Sequence, residues 1–278
     1  EVLHTYVRGT DLVVTGDEDL TADLETLKGL LDKDTACLVI QNPNFFGELE
    51  PVDGLSEAVH AAGALLIVAA DPISLGLFQP PGEYGADIVA GEGQPLGIPL
   101  SFGGPYLGYF ACRQKYMRKL PGRLVGQTVD TQGRRGFVLT LTAREQHIRR
   151  ERATSNICTN QALCALAAAV YLSAMGRHGL RQVAELCYHK AHYAAQRIAA
   201  LDGYEVLMER PFFKEFVVRC PAPVAEINDK LLDWGIIGGY DLEKDYPHLK
   251  NSMLLCVTEV NSREEIDYLV EALREVAG

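Results

Sequence analysis

Asn42 and Asp71 are the side chains of this sequence best placed to do chemistry. Each stands just beyond a run that reads as a β-strand, Ala36-Cys-Leu-Val-Ile40 before Asn42 and Ala64-Leu-Leu-Ile-Val-Ala-Ala70 before Asp71. Ligands of open α/β sheets gather at strand carboxyl ends, so both residues sit where a cofactor pocket would open. Both also have plainer uses, since Asn42-Pro43-Asn44 is a turn signal and a strand-end aspartate can be purely structural. The run Gly91-Glu-Gly-Gln-Pro-Leu-Gly97 has the spacing GxGxxxG. Pro95 falls where a phosphate-binding helix should be under way, which argues against a dinucleotide loop.

His189 and His192, three apart on an expected helix, could share a metal, but two histidines on a solvated face is the favoured reading. The densest charge lies in Thr142-Ala-Arg-Glu-Gln-His-Ile-Arg-Arg-Glu-Arg152, where His147 is surrounded by Arg144, Arg149, Arg150 and Arg152. Arginines in such a run suit carboxylate pairing across an interface better than acid–base work. Thr154, Ser155, Asn156 and Thr159 then offer hydrogen bonds just before a helix. We expect this segment to be an interface, with a solvated helical face as the competing reading. Arg134-Arg135 reads as an exposed loop pair that an acidic partner could use. The seven cysteines, Cys37, Cys112, Cys158, Cys164, Cys187, Cys220 and Cys256, show neither CxxC nor zinc spacing. Reduced, buried and inert thiols are the expectation.

The elements that must position these residues alternate between strand and helix. Leu12–Val14 is a short strand candidate, and Ala22–Leu31 a helix with Thr21 as N-cap. The strand at 36–40 is followed by a helix at 52–62, the strand at 64–70, and further strands at 88–90 and 109–112. Residues 121–136 read as a glycine- and arginine-rich loop. A helix over 160–175 is punctuated by Gly176 and Gly179 before a second helix over 180–201. The remainder predicts a strand at 215–220, a helix at 222–234, a strand at 253–258 and a closing helix at 263–276. This order implies a mostly parallel sheet covered on both faces, in a large domain over 1–177, and a small α/β domain over 178–278.

At 278 residues and 47% hydrophobic content the chain can bury a sizeable core. Its net charge of −11 speaks against nucleic acid or an acidic membrane surface as a general partner. No apolar run reads as long enough to span a bilayer, and the dispersed cysteines suit a reducing cytoplasm. Glu1-Val-Leu-His-Thr-Tyr-Val7 alternates like a strand and carries no initiator methionine, so the expectation is an amino-terminal truncation inside a domain.

Several separated strings resemble the glycine decarboxylase (P-protein) family of the glycine cleavage system: Gln41-Asn-Pro-Asn-Phe-Phe-Gly47, the strand end at Asp71, the loop Gly85 to Pro105, Arg118 to Gly126, and Arg144 to Thr159. The resemblance covers nearly the whole chain and is to the first subunit of split forms. It implies an aminotransferase-like pyridoxal phosphate (PLP) fold type I architecture. With Ile98-Pro99 and Gly103-Gly104-Pro105 laid on the catalytic half of that family, Gln94 falls where the Schiff-base lysine should be. A carboxamide supplies neither the nucleophile nor the proton shuttle of an amine. None of the nine lysines follows Asp71 on the expected loop.

The resemblance therefore implies a non-catalytic subunit with a degenerate pocket of Asn42, Asp71 and Gln94. Asp71 corresponds to the aspartate that pairs with the pyridine nitrogen, although Pro72-Ile73 departs from the catalytic pattern and favours a structural relic. PLP would be carried by a catalytic second subunit, glycine would be the substrate, and lipoylated H-protein would receive the aminomethyl group. Arg144, His147, Arg149, Arg150, Ser155, Asn156 and Thr159 would form the contact with that subunit. The setting implied is a bacterial or archaeal cytoplasm. Two alternatives stay open: an autonomous PLP aminotransferase or lyase using another lysine, and a structural or regulatory module with a degenerate pocket.

Overall fold

The computed structural model describes residues 2–16, 24–153, 155–156 and 161–276. Its helices are α1 (Val2–Tyr6), α2 (Leu24–Gly29), α3 (Leu55–Ala61), α4 (Gln146–Arg149), α5 (Ala162–Ala199), α6 (Val224–Asp233) and α7 (Arg263–Val276). Its strands are β1 (Cys37–Asn42), β2 (Leu65–Ala70), β3 (Ile88–Glu92), β4 (Gly108–Cys112), β5 (Leu124–Val129), β6 (Arg135–Thr140), β7 (Glu205–Val206), β8 (Glu215–Arg219), β9 (Tyr240–Asp241) and β10 (Ser252–Cys256). The chain divides into two compact units, one of residues 36–42 and 63–189, the other of residues 1–35, 43–62 and 190–278. This division differs from the expected 1–177 and 178–278. Compactness follows tertiary contacts, and those group residues 43–62 with the carboxyl-terminal part.

In the first unit the sheet runs β1-β2-β3-β4, with β1, β2 and β3 parallel and β4 antiparallel at the edge. Leu66, Val68 and Ala70 form the buried alternate set of β2, the first two fully inaccessible. β1 is an edge strand, and Cys37 and Val39 on it are exposed. Asp87 stitches the sheet together. Its Oδ2 accepts from Leu66 N at 3.1 Å, and its Oδ1 lies 3.2 Å from Lys115 Nζ and 3.7 Å from Arg113 Nε.

The second unit carries an antiparallel sheet in the order β7-β8-β10-β9. Phe216 and Val218 of β8 and Met253 of β10 pack with Ile227 and Leu231 of α6 and Val270 and Leu273 of α7. α7 is fixed locally as well as by packing. Ser262 Oγ accepts from Glu265 N at 3.1 Å and Glu265 Oε2 accepts from Ser262 N at 2.6 Å, a reciprocal capping box ahead of an apolar stripe at helical spacing.

Four expectations are corrected. Residues 2–6 are helical, because a strand needs a neighbour whereas the bond from Val7 N to Leu3 O, 3.0 Å, satisfies the backbone locally. Residues 12–14 form no strand. Residues 124–140 form a β-hairpin where a loop was expected, because Asp130 organises the turn, accepting from Gln132 N and Arg134 N and pairing with Arg134 Nε at 2.8 Å. The helix α5 is long and apolar enough, by length and composition only, to cross a membrane, contrary to the expectation that no run would be. Gly176, at φ 60° and ψ −174°, interrupts the helix; before it Leu163, Leu166 and Val170 are exposed, and beyond it Val183, Ala184, Cys187, Ala191, Ala194 and Ile198 are buried. The expected N-cap Thr21 lies outside the described residues.

Candidate cofactor pocket

Parallel pairing brings the two strand-end residues together, since Asn42 is in register with Ala70 and Asp71 follows immediately. Two tyrosines join them that the sequence reading missed. The Asn42 amide hydrogen-bonds Tyr84, and Tyr109 Oη on β4 donates to Ala70 O at 2.5 Å. Tyr109 reaches across β3 because residue 91, its partner in register, is glycine. A Cβ at Gly91 would lie 2.4 Å from Ala70 O and 2.5 Å from Tyr109 Oη. Burial pushes the Tyr109 phenol up to about 12, and the charges of Asp71 and Tyr84 add to this. Tyr84 is raised by burial too, partly offset by its bond to Asn42. The result is a polar, half-buried cluster at the carboxyl end of the sheet. A glycine opposite a tyrosine was the legible signal, but only once β3 and β4 are known to pair.

Asp71 has a local structural task. Its Oδ1 accepts from Ile73 N at 2.7 Å and Ser74 N at 3.2 Å, and Ser74 Oγ donates to Asp71 O at 2.7 Å. The carboxylate thus caps the short turn at 74–76.

Gln94 is tied into the loop after β3. Its backbone N donates to Glu92 Oε1 at 3.0 Å, and its Nε2 donates to Ile98 O at 2.5 Å. Glu92 Oε1 also accepts from Leu107 N at 2.8 Å, closing the loop at its base. The loop rests on α5 at Gly97, whose φ is 79° and where a Cβ would meet the Tyr171 ring at 2.8 Å. Among the described residues Gln94 makes no hydrogen bond to Asn42, Asp71, Tyr84 or Tyr109.

The arginine-rich segment is a series of short turns, broken at Glu145 (ψ 160°) and Arg150 (φ 55°). Arg144 Nη1 donates to Leu120 O, and Arg123 Nε lies 3.8 Å from Glu145 Oε2, so two of the distant sequence strings meet. His147 Nδ1 lies 3.7 Å from the same oxygen. Arg144 Nε and Nη2 and Glu145 Oε1 are buried without a hydrogen-bond partner among the described residues. Arg149 Nε donates to Ala143 O at 3.1 Å; Arg150 and Asn156 are exposed and Ser155 is half-buried. Thr154 and Thr159 lie outside the described residues.

The histidine pair has other uses, since the His192 ring stacks on Phe212 at 3.9 Å and His189 meets Tyr188 edge-on. No group of metal ligands occurs among the described residues. The described cysteines are free, but only Cys187 and Cys220 are buried as expected; Cys112 and Cys164 are half-buried and Cys37 and Cys256 exposed, because Cys37 lies on the edge strand β1 and Cys256 is the last residue of β10. Burial with the charge of Asp241 pushes the Cys220 thiol up to about 12, and partial desolvation raises Cys37, which suppresses the reactive thiolate at both. Cys158 lies outside the described residues.

The family model for the glycine cleavage system P-protein matches residues 1–273. A probable glycine dehydrogenase (decarboxylating) subunit 1 from Thermomicrobium roseum is 58% identical over 280 residues, which is 100% of this chain and 62% of that protein. The chain thus spans less than two thirds of the length of that curated relative. A crystal structure of glycine decarboxylase, the P-protein of the glycine cleavage system, in inhibitor-bound form, is 41% identical with a TM-score of 0.89, covering 99% of this chain and 62% of that one. A sphingosine-1-phosphate lyase from Burkholderia pseudomallei is 16% identical with a TM-score of 0.68, covering 99% and 60%, a likeness of fold alone. That fold is the aminotransferase-like PLP fold type I. The chain belongs to the glycine cleavage system P-protein family.

Proposed function

We propose that this chain is the non-catalytic subunit of a glycine decarboxylase assembled from two polypeptides. The second subunit supplies the lysine and carries PLP, which serves as the electron sink for loss of CO2 from glycine, and lipoylated H-protein receives the aminomethyl group. The observation that carries the reading is Gln94. Its carboxamide is not a nucleophile, and its Nε2 is engaged with Ile98 O, so this loop does not fit a covalently held PLP. The carboxylate of Asp71 already caps the turn at Ile73 and Ser74. Asn42, Asp71, Tyr84 and Tyr109 are then a degenerate pocket whose task is to hold the sheet end in shape.

Arg144, His147, Arg149, Arg150, Ser155, Asn156 and Thr159 are assigned to the contact with the second subunit. The support is exposure: His147, Arg149, Arg150 and Asn156 are open to solvent, where the carboxylates and carbonyls of a partner would pair with them. The setting is the bacterial or archaeal cytoplasm.

The test is glycine–CO2 exchange with lipoylated H-protein, using each subunit alone and both together, followed by borohydride reduction and mass analysis. Exchange should require both chains, and the pyridoxyl label should fall on the second. A stoichiometric label on this chain, or exchange by this chain alone, overturns the reading.

A further inference from the structure

The hairpin β5–β6 turns an apolar face to water. In a half-buried antiparallel pair the outward positions are normally polar. Register pairs Val125 with Leu139, Gln127 with Phe137 and Val129 with Arg135, so these six share one face. On that face Val125 is 63% exposed, Val129 64%, Phe137 64% and Leu139 53%. On the opposite face Leu124, Gly126, Gly136 and Thr140 are half-buried, whereas Thr128 and Val138, the latter 48% exposed, also meet water. The four side chains of the first face leave on the order of 400 Å² of apolar area in water, comparable to the largest patch on a typical monomer, which is often functional.

Charge supplies the second, independent observation. Residues 113–152 hold 11 Arg and Lys against 3 Asp and Glu, in a chain whose net charge is −11. Arg135 lies over the Phe137 ring at 5.8 Å, while the neighbouring Arg134 is paired with Asp130 and Arg123 lies 3.8 Å from Glu145, so Arg135 is the cation of the strip itself. An apolar strip bordered by fixed positive charge fits a polypeptide that presents an apolar strip bordered by carboxylates. A bare anionic ligand would leave the strip uncovered.

We propose that the outer face of the hairpin, Val125, Val129, Phe137 and Leu139 with Arg135, is the apolar anchor for an acidic surface of the second subunit. The proposal rests on the two-subunit reading above and adds to it a contact outside the arginine-rich segment already assigned there. Phe137 is the central residue and Arg135 sets partner charge and approach.

The experiment is sedimentation of the full chain with the second subunit, comparing wild type with Phe137→Thr, Phe137→Glu and Arg135→Glu. Phe137→Thr keeps strand propensity, so the isolated variant should melt within a few degrees of wild type. It should weaken association by about 30-fold or more. Arg135→Glu should weaken it less, and that loss should shrink between about 0.1 and 1 M salt. If wild type assembles and Phe137→Glu assembles equally well, the inference fails and the two-subunit reading stands. If wild type does not bind the second subunit, the reading fails and takes the inference with it. Self-association of the chain alone that Phe137→Thr abolishes, with hetero-assembly intact, assigns the face to a second copy and overturns the proposal. Normal assembly with lost transfer to H-protein overturns it in favour of the carrier.

Discussion

Replacing Asp87 tests whether one buried carboxylate holds the first sheet together. Its side chain is fully buried, with Oδ2 on Leu66 N at 3.1 Å and Oδ1 at 3.2 Å from Lys115 Nζ and 3.7 Å from Arg113 Nε. Arg113 in turn donates to Gly85 O at 2.9 Å and Ala86 O at 3.1 Å, fixing the turn into β3. Asp87→Asn preserves shape and the bond from Leu66 N but removes the anion. Lys115 and Arg113 are about half exposed, so water re-solvates them and the loss is moderate, about 1.5–3 kcal/mol. Asp87→Ala also strands the fully buried Leu66 N–H, which adds about 1–3 kcal/mol. At roughly 2 °C per kcal/mol for a chain of this size, the midpoints should fall in the order wild type, Asn, Ala, separated by a few degrees each. Thermal and urea unfolding measure both. The asparagine deficit should narrow in high salt, where the half-exposed cations contribute less to wild type. Equal midpoints for Asn and wild type would refute the electrostatic part, and equal midpoints for Asn and Ala would refute the role of the Leu66 bond.

Gly47→Ala should cost more than about 2 kcal/mol in unfolding measurements, because φ is 94° and the new Cβ would lie 2.0 Å from Glu215 O. Tyr109 should ionise late in an absorbance titration, near pH 12. A phenol whose folded value exceeds its ordinary value of 10.0 keeps its proton longer in the native state, so its contribution to stability is full below pH 10 and lost as pH rises towards 12. Tyr109→Phe should therefore flatten the alkaline fall in urea midpoint. Gln94→Lys alone should give no borohydride-stable pyridoxyl adduct by mass analysis, since Pro95 and the turn-capping Asp71 remain; a stoichiometric adduct would show that a single side chain separates this loop from a working one.

The parts of the fold that were legible are those decided within a few residues of chain. The closing helix runs over Arg263–Val276 as expected, because Ser262 and Glu265 cap each other and the apolar residues recur at helical spacing. β2 announced itself as a short run of β-branched and aliphatic residues, and Gly176 breaks α5 where the sequence placed its punctuation. The strand-end position of Asn42 and Asp71 was equally readable, since a turn residue after an apolar run marks a strand's carboxyl end. The hairpin lies under a glycine- and arginine-rich composition that reads as loop, while its pairing over 124–129 and 135–140 depends on the Asp130 turn bringing the two runs together.

By itself, then, the sequence determined the alternation of strand and helix, the absence of lysine from the loop after Asp71 and the meeting of family-like strings with a non-nucleophilic Gln94. Only the tertiary structure decided that Tyr84 and Tyr109 join Asn42 and Asp71, that Asp87 clamps residues 21 and more positions away, and that residues 43–62 fold with the carboxyl-terminal unit. It also decided that Val125, Val129, Phe137 and Leu139 of the hairpin stay exposed to water. The physical reason is range. Capping, periodicity and turn chemistry are set by neighbours along the chain, whereas burial, pKa shifts and ion pairing depend on which strands lie side by side, and strand order is written in no local pattern.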